Sequence, residues 1–358
     1  MSARAQPETA PPKRARWSRV VRIVAIVVPL GILGNLAFTL FGTDREVLAA
    51  LGEFPRHYLL LAVGLAFVPW VTHTLRLTLW TRFLGHRLRL RDGFTIVVGT
   101  TLGGAASPTV LGGGVFKWGM LVQKGVSPGE AASLTTLATV EDAVFFLIAL
   151  PVAFVVSEAW SLPIVRGIGE QVTENLPVAA GLLAIVLLLS WFSLRVIARD
   201  DRRIVEERRE TDGVWRRFRR RLRNALRDAL DTYRLIMRRG RWLFLVTLVL
   251  TAIQWTAHYG ILSALVAFLG LPVDFVLFFL LQWIVFALMT TIPTPGATGG
   301  AEAAFYFIFG ALLPSAVIGI ATAGWRFLTF YVQISVAAVL FPMLYPQFER
   351  SIAERDSG

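Results

Sequence analysis

The chain has no cysteine, which excludes disulfides and thiolate metal sites. Its four histidines stand at no metal-ligand spacing, so neither a metal nor a cofactor is expected. Charge is scarce as well. Of 358 residues 17% are charged while 55% are hydrophobic, and a mean hydropathy of +0.61 is a balance that an ordinary soluble domain does not tolerate. Enzymatic motifs are missing too. The glycine-rich stretch at 103–114 has no Gly-Lys-Ser/Thr ending and is not a nucleotide P-loop, and there is no Gly-x-Ser-x-Gly elbow and no His-Glu-x-x-His helix. ATP-driven transport has no support, and the chain is not expected to be an enzyme.

What the chain does have is apolar length. A helix needs roughly 20 residues to cross a hydrocarbon core of about 30 Å, and runs of that order occur at 20–41, 58–80, 131–157, 176–198, 242–269, 273–292 and 315–344. The expected fold is all-α and integral to the membrane, a polytopic bundle of about seven or eight spans. The first run follows a basic tail at 1–19 and imitates a secretory signal, but it exceeds the usual apolar core of roughly 7–15 residues and reads as an uncleaved anchor. The net charge of +12 is almost all arginine, and its placement sets an orientation. Arg4, Lys13, Arg14, Arg16 and Arg19 precede the first run, Arg82, Arg87, Arg89 and Arg91 follow the second, and a dense basic stretch fills 199–241. These segments are assigned to the cytoplasm, the N-terminus included, in a multi-pass protein of the plasma membrane. The outer segments 42–57 and 158–175 are poorer in cations, the latter carrying Glu158, Glu170 and Glu174 against Arg166.

With 82–91 inside, and with 131–157 starting inside to reach the acidic outer loop, residues 93–128 must enter and leave on the same side. They form a re-entrant hairpin, broken by Gly103-Gly104-Ala105-Ala106-Ser107-Pro108-Thr109-Val110-Leu111-Gly112-Gly113-Gly114. Its arm 93–107 would rise about 22 Å at 1.5 Å per residue, and backbone this irregular survives at depth only when buried in protein or lining a wet cavity. The second half (242–344) mirrors the first (20–198). There 242–269 runs outward, and a second break, Pro293-Thr294-Pro295-Gly296-Ala297-Thr298-Gly299-Gly300, separates 273–292 from 301–314. The two Gly/Pro-broken hairpins would make a pseudo-inverted repeat. The run 273–292 is also long enough to cross fully, so an imperfect repeat stays open, and the tail 345–358 is too balanced in charge to place. Within 199–241, Trp215, Phe218, Leu222, Ala225, Ala229, Tyr233 and Ile236 recur at helical steps between arginines. This amphipathic helix either lies in the interface beside anionic headgroups or is a solvated linker. Nucleic acid is not an expected partner, because arginines tethered this close to a membrane already have phosphates to bind.

Few residues remain to carry chemistry. One charge at the centre of a membrane helix costs about 2.5–3.5 kcal/mol, so the adjacent Glu141 and Asp142 are costly unless one faces a cavity and the other pairs; a purely structural role, tying helices together, is the competing reading. His73 and Arg76 share a helix face, with Arg76 either a headgroup contact or a snorkelling arginine. Lys117 is a phosphate contact or an interface anchor. Gln254 and His258 are an i, i+4 pair of the sort that glues helices. Glu302 follows the second break, where an acid caps a helix N-terminus. Arg326, some twelve residues into the last run, needs a partner, for which Glu302, Glu141 and a lipid phosphate are the candidates.

The segment from Pro293 through Gly299-Gly300-Ala301-Glu302-Ala303-Ala304, followed by Arg326-Phe327-Leu328-Thr329-Phe330-Tyr331, resembles the lysylphosphatidylglycerol synthase transmembrane-domain family, whose Pro-Gly-Gly-x-Gly-x-x-Glu segment precedes a span bearing Arg-x-x-x-x-Tyr. In the first half Ser107-Pro108, Gly112 to Lys117, Gly125-Val126-Ser127 with Ala131-Ala132, and Glu141-Asp142 look like the family's other blocks. The likeness runs from about residue 20 to 344. Two departures stand out: glycine stands at Gly113 or Gly114 where the family carries an acid, and a Glu-Arg-x-x-Asp block is reduced to Glu141-Asp142.

The resemblance implies a flippase-like protein that moves an anionic phospholipid or a lipid-linked sugar between leaflets. Its site would comprise Arg76, Pro108, Lys117, Glu141, Asp142, Pro295, Gly296, Gly299, Glu302 and Arg326, with membrane lipids as partners and Glu141 or Asp142 as a proton coupler. The soluble aminoacyl-transfer domain of the synthases has no counterpart in any long polar stretch here, so synthase activity is not expected. A membrane-embedded transferase acting on lipid-linked substrates and a scaffold docking a partner on 199–241 are the alternatives.

Overall fold

The computed structural model describes Gly34 and residues 54–105, 107, 111–161, 214–290, 297 and 299–356. The expected spans 20–41 and 176–198, and the breaks' own Pro108, Pro293, Pro295 and Gly296, lie outside the described residues. Among the described residues the regular structure is helical: α1 Arg56–Phe83, α2 Leu90–Ala105, α3 Leu111–Gln123, α4 Pro128–Val156, α5 Val214–Arg239, α6 Arg241–Phe268, α7 Phe275–Thr290, α8 Gly300–Phe309, α9 Ser315–Arg326 and α10 Val332–Asp356, with a short 3₁₀ turn at Ala159–Ser161 and a π turn at Phe327–Tyr331. Among the described residues four helical stretches are long and apolar enough to cross a membrane: Arg56–Phe83, Pro128–Val156, Arg241–Phe268 and Ser315–Ala353. The run expected at 315–344 therefore continues as helix to Asp356.

The run 273–292, which as sequence could have crossed the membrane, begins as helix only at Phe275. Asp274 caps α7 by accepting from the Leu277 N–H at 3.0 Å. Within the described residues the helix extends over 16, a rise of about 24 Å at 1.5 Å per residue. A repeat of lengths then becomes visible. Helices α1 and α6 both hold 28 residues, and within the described residues α2 and α7 extend over 16 each and α3 and α8 over 13 and 10. A long apolar helix follows each set. The turns match as well. After α1, Gly85 at φ +88° lets the His86 N–H reach Thr81 C=O while its own N–H reaches Arg82 C=O. After α6, Gly270 at φ +74° lets Leu271 reach Val266 while its own N–H reaches Ala267. Both are Schellman stops, which glycine makes without Cβ strain.

The chain divides into two compact units, Met1–Gly125 with Leu243–Gly358, and Val126–Trp242. In the first, α2 and α3 form a tight antiparallel hairpin. A Cβ on Gly103 would meet Phe116 Cβ at 2.7 Å, and one on Gly113 would meet Thr100 C=O at 3.0 Å, so the glycines exist to let two helix backbones touch. Helix α10 lies against this pair, with Phe341 edge-on to Phe116 at 6.0 Å. The pair α7 and α8 is a second antiparallel hairpin, held by Phe278 against Phe309 at 5.4 Å. It is joined to α6 by Gln282 Nε2 donating to Tyr259 C=O at 2.8 Å.

In the second unit α4 opens on a capping box: the Glu130 N–H donates to Ser127 Oγ at 3.2 Å, and the Ser127 N–H donates to Glu130 Oε2 at 3.1 Å. Pro128 at the first helical position gives up an N–H that has no intrahelical partner anyway. Gly129 has no room for a side chain, since a Cβ would lie 2.4 Å from Ala225 C=O, and so α5 packs directly on α4. Ser133 Oγ donates to Ala229 C=O at 3.2 Å, and Thr136 shares a hydrogen bond with Tyr233. The Ala225, Ala229 and Tyr233 part of the apolar stripe thus lies on α4, while Arg227, Arg234 and Arg238 remain exposed. The arginines select the outer face because a charge costs least where water remains.

Candidate functional site

Three polar groupings sit inside the apolar packing of the first unit, and two of them hold residues expected at the site. The first is built on the start of α8. Gly299, at φ +83°, turns the chain into the helix, and its N–H donates to Glu302 Oε2 at 2.8 Å. The other carboxylate oxygen, Oε1, accepts from Arg326 Nε at 3.2 Å, with the two side chains only 12% and 3% exposed. The cap and the ion-pair readings of Glu302 are both correct, one on each oxygen. The Arg326 guanidinium also lies 4.2 Å from the centre of the Phe330 ring, a cation–π geometry.

Backbone irregularity places the remaining partner. In an α-helix residues five apart point about 140° away from each other, so Arg326 and Tyr331 would face different neighbours. The chain instead makes a π turn over Phe327–Tyr331, with the Val332 N–H donating to Phe327 C=O. A five-residue ring brings i and i+5 onto one face, and Tyr331, 2% exposed, hydrogen bonds with Arg326. The Arg-x-x-x-x-Tyr spacing is thereby explained by geometry. The π turn itself had no sequence signal beyond that spacing.

The second grouping joins α1 to α6. Arg76 is 2% exposed, and its Nη1 donates to Gln254 Oε1 at 2.9 Å. Gln254 is therefore the arginine's partner as well as helix glue. One turn away on each helix stand His73 and His258, both half-buried, and the antiparallel register set by Arg76 with Gln254 puts them opposite each other. Arg76, Lys117 and His258 lie close enough to His73 to act on it electrostatically. Lys117, on the return arm α3, is half-buried and so belongs to this grouping. A set of donors gathered in apolar surroundings is suited to an anion, because each charge-assisted hydrogen bond to phosphate is strengthened where water is excluded.

A third polar cluster had no counterpart in the sequence reading. Lys124, at the end of α3, lies 3.0 Å from Asp92 Oδ1 at the start of α2, with side chains 9% and 11% exposed. Its Nζ donates to Phe348 C=O at 3.0 Å and to Ser351 Oγ, and it lies 4.0 Å from the centre of the Phe348 ring. Ser351 Oγ in turn reaches Asp92 Oδ1 at 3.2 Å. Both feet of the first hairpin are thus tied to α10. An Asp and a Lys 32 positions apart give no local pattern, and only the hairpin makes them neighbours.

Of the other expected site residues, Glu141 and Asp142 stand on α4 in the second unit, Glu141 at 1% exposure and Asp142 half-buried. Pro108, Pro295 and Gly296 lie outside the described residues.

A "UPF0104 membrane protein" of Archaeoglobus fulgidus is 24% identical over 329 residues, covering 87% of this chain and 94% of that protein. A sequence profile described as the lysylphosphatidylglycerol synthase TM region matches residues 20–337. Together with four membrane-length apolar helices, this makes the chain a multi-pass membrane protein that belongs to the lysylphosphatidylglycerol synthase transmembrane-region family.

Proposed function

We propose that the protein is a lipid translocator, which passes an anionic phospholipid or a lipid-linked sugar phosphate between the leaflets of the plasma membrane and performs no aminoacyl transfer. The observation that carries the reading is the donor set around His73: a buried Arg76, together with Lys117 and His258, held among apolar helices. Buried cations within a membrane protein mark substrate or ion paths more often than packing. In this reading the two short hairpins are re-entrant and inverted relative to each other, which the matched 28-residue helices α1 and α6 and the like Schellman stops after them support. The arginine-rich segments keep the N-terminus cytoplasmic. The phosphate rests on Arg76 and Lys117 while the tails stay in lipid. Arg326, already paired with Glu302, takes part by exchanging its carboxylate for the passing phosphate, and Glu141 or Asp142 couples the step to a proton.

Reconstitution in vesicles with asymmetrically labelled lipids tests this. Native protein should move an anionic phospholipid, Arg326→Ala and Asp142→Asn should slow it at least about tenfold if each removes roughly 1.4 kcal/mol from the transit step, and both variants should still insert. Absence of protein-dependent movement of any anionic or sugar-linked lipid would sink the proposal.

A further inference from the structure

The exposed positions of α4 change character part-way along the helix. Before residue 140 they are Pro128, Thr136 and Thr139, whereas over 140–156 they are all apolar, Val140, Leu147, Ile148, Val152 and Val156 among them. That apolar stretch rises about 24 Å at 1.5 Å per residue, close to a hydrocarbon thickness of about 30 Å. An exposed Trp160 follows it, as an interface aromatic does. The hydrocarbon therefore begins near residue 140, and the first three turns of α4 lie outside it. Glu141 and Asp142 then stand within a turn of the boundary rather than at the centre of the span, where a charge costs most.

Helix α5 follows these outer turns in the same direction. As α4 advances from Gly129 through Ser133 to Thr136, its neighbours on α5 advance from Ala225 and Asp228 through Ala229 to Tyr233. The Gly240 N–H still donates to Ile236 C=O at 2.8 Å, and the membrane-length helix α6 starts at the next residue with Trp242 82% exposed. Helix α5 thus meets the bilayer end-on. Its arginines cannot all reach headgroups: the six that the sequence places in 214–223 lie about 26–36 Å along the axis from Gly240. A tilt of about 40°, the top of the usual range, still leaves them about 20–28 Å away, against a screening length of about 8 Å. The face turned away from α4 is built at three- and four-residue steps from Arg227, Leu230, Arg234, Met237 and Arg238, all exposed. Arg234 pairs with Asp231 at 2.8 Å, but with side chains 70% and 71% exposed such a pair contributes little.

We infer that residues 128–139 of α4 and helix α5 stand out of the bilayer as a two-helix cytoplasmic arm, and that the outer face of this arm docks an acidic amphipathic helix of a cytoplasmic protein. Leu230 decides the kind of partner. It is 46% exposed and about 15 Å along the axis from Gly240, beyond the hydrocarbon, with an arginine one turn away on either side. A nucleic-acid backbone or a headgroup layer would give each arginine a phosphate and give Leu230 nothing apolar. A helix with carboxylates flanking an apolar residue satisfies both, through bidentate carboxylate–guanidinium bonds and a buried apolar contact. The inference rests on the orientation proposed above, which puts the arginine-rich segment inside, and adds what that segment binds.

Because the chain has no cysteine, single cysteines report accessibility without background. In inside-out vesicles Asn224→Cys and Leu230→Cys should react with a membrane-impermeant maleimide, and Leu147→Cys, 76% exposed but within 140–156, should not; in right-side-out vesicles none should react. Docking is measured on the full chain in phosphatidylcholine nanodiscs with three probes: a synthetic helix whose glutamates flank a leucine stripe, the same helix with glutamine for glutamate, and oligouridylate. The glutamate helix should bind and the glutamine helix should not. Leu230→Ser should weaken the glutamate helix about threefold to tenfold, the worth of burying about half a leucine side chain, and leave oligouridylate unchanged. Protection of Leu230→Cys like that of Leu147→Cys, oligouridylate bound as tightly as the glutamate helix, or native-like binding by Leu230→Ser overturns the inference. So does loss of the glutamate helix when phosphatidylglycerol replaces phosphatidylcholine, because headgroups then hold the face. The two proposals fail separately: movement of lipid by a chain whose Leu230→Cys stays protected removes the arm and keeps the translocator, whereas a reactive, helix-binding arm without lipid movement does the reverse.

Discussion

Replacing Arg326 with Met keeps the length of the side chain and deletes its charge. Glu302 then stands 12% exposed with one oxygen still held by the Gly299 N–H and the other facing apolar neighbours. Removing one partner of a buried pair costs about 3–5 kcal/mol, chiefly because the survivor keeps its charge without compensation, and loss of the Phe330 contact adds roughly 0.5–2 kcal/mol. Glu302→Gln leaves the opposite charge stranded, yet its amide oxygen can still cap Gly299, so it should cost less than Glu302→Ala by about 1 kcal/mol, the usual worth of a cap. Arg326→Met with Glu302→Gln removes both charges and should recover most of the loss, leaving a coupling of about 1–3 kcal/mol between the sites. Equilibrium unfolding in mixed micelles, read by tryptophan fluorescence, measures all four proteins. Strict additivity of the two single changes, or Arg326→Met as stable as the native chain, would refute the claim that this pair is a desolvated, mutually dependent unit. Transport then separates the roles: if the double variant is restored in stability but moves no lipid, Arg326 acts on the substrate rather than on the fold.

The cluster at the foot of the first hairpin makes a second prediction. Lys124→Met strands Asp92 at 11% exposure and should destabilise by about 3–5 kcal/mol, whereas Ser351→Ala removes a weaker link and should cost about 1 kcal/mol; protease cleavage of the C-terminal helix after either change reports whether α10 has come away. Gly103→Leu places a side chain where Phe116 already stands 2.7 Å from a Cβ and should cost at least about 1–3 kcal/mol by overpacking, with α2 and α3 pushed apart; a cysteine pair across the hairpin that crosslinks in the native background and still crosslinks equally fast in the variant would contradict it.

Legibility in the sequence followed the range of each interaction. Apolar runs depend on residues close together, so the spans at 58–80, 131–157 and 242–269 reappear as helices with ends shifted by only a few residues. Glu302 and Arg326 could be named as partners because an ion inside a membrane protein must be paired, and few ions were available. Gln254 was read only as helix glue, since nothing local says that residue 254 faces residue 76. Lys124 and Asp92 passed unnoticed for the same reason, being ordinary loop-end charges until the hairpin folds. The start of α7 at Phe275 rather than at 273 turns on Asp274 acting as a cap, a local signal present in the sequence but outweighed there by the apolar run beside it.

The two polar groupings of the first unit that hold expected site residues differ in how their charge is met, and that difference bears on which of them receives substrate. Arg326 has a carboxylate at 3.2 Å, an aromatic face and a tyrosine gathered by a π turn built for the purpose; an anion reaching it must displace an anion already present, and the exchange is nearly neutral in charge. Arg76, Lys117 and His258, which act on His73 electrostatically, are all donors, and Arg76 is bonded to the neutral amide of Gln254. A phosphate arriving there displaces an amide rather than a carboxylate, so the gain in Coulomb energy is larger where the medium is apolar. Binding should therefore occur first at the α1 and α6 grouping, and the Glu302–Arg326 pair should act afterwards, at a step where charge passes on without accumulating. Neutralising Lys117 then weakens lipid retention without changing the rate at saturating lipid, while Glu302→Gln lowers that rate and leaves retention close to native. Retention measured by native mass spectrometry and rates measured in vesicles read the two steps independently, and the reverse pattern would exchange the roles of the two groupings.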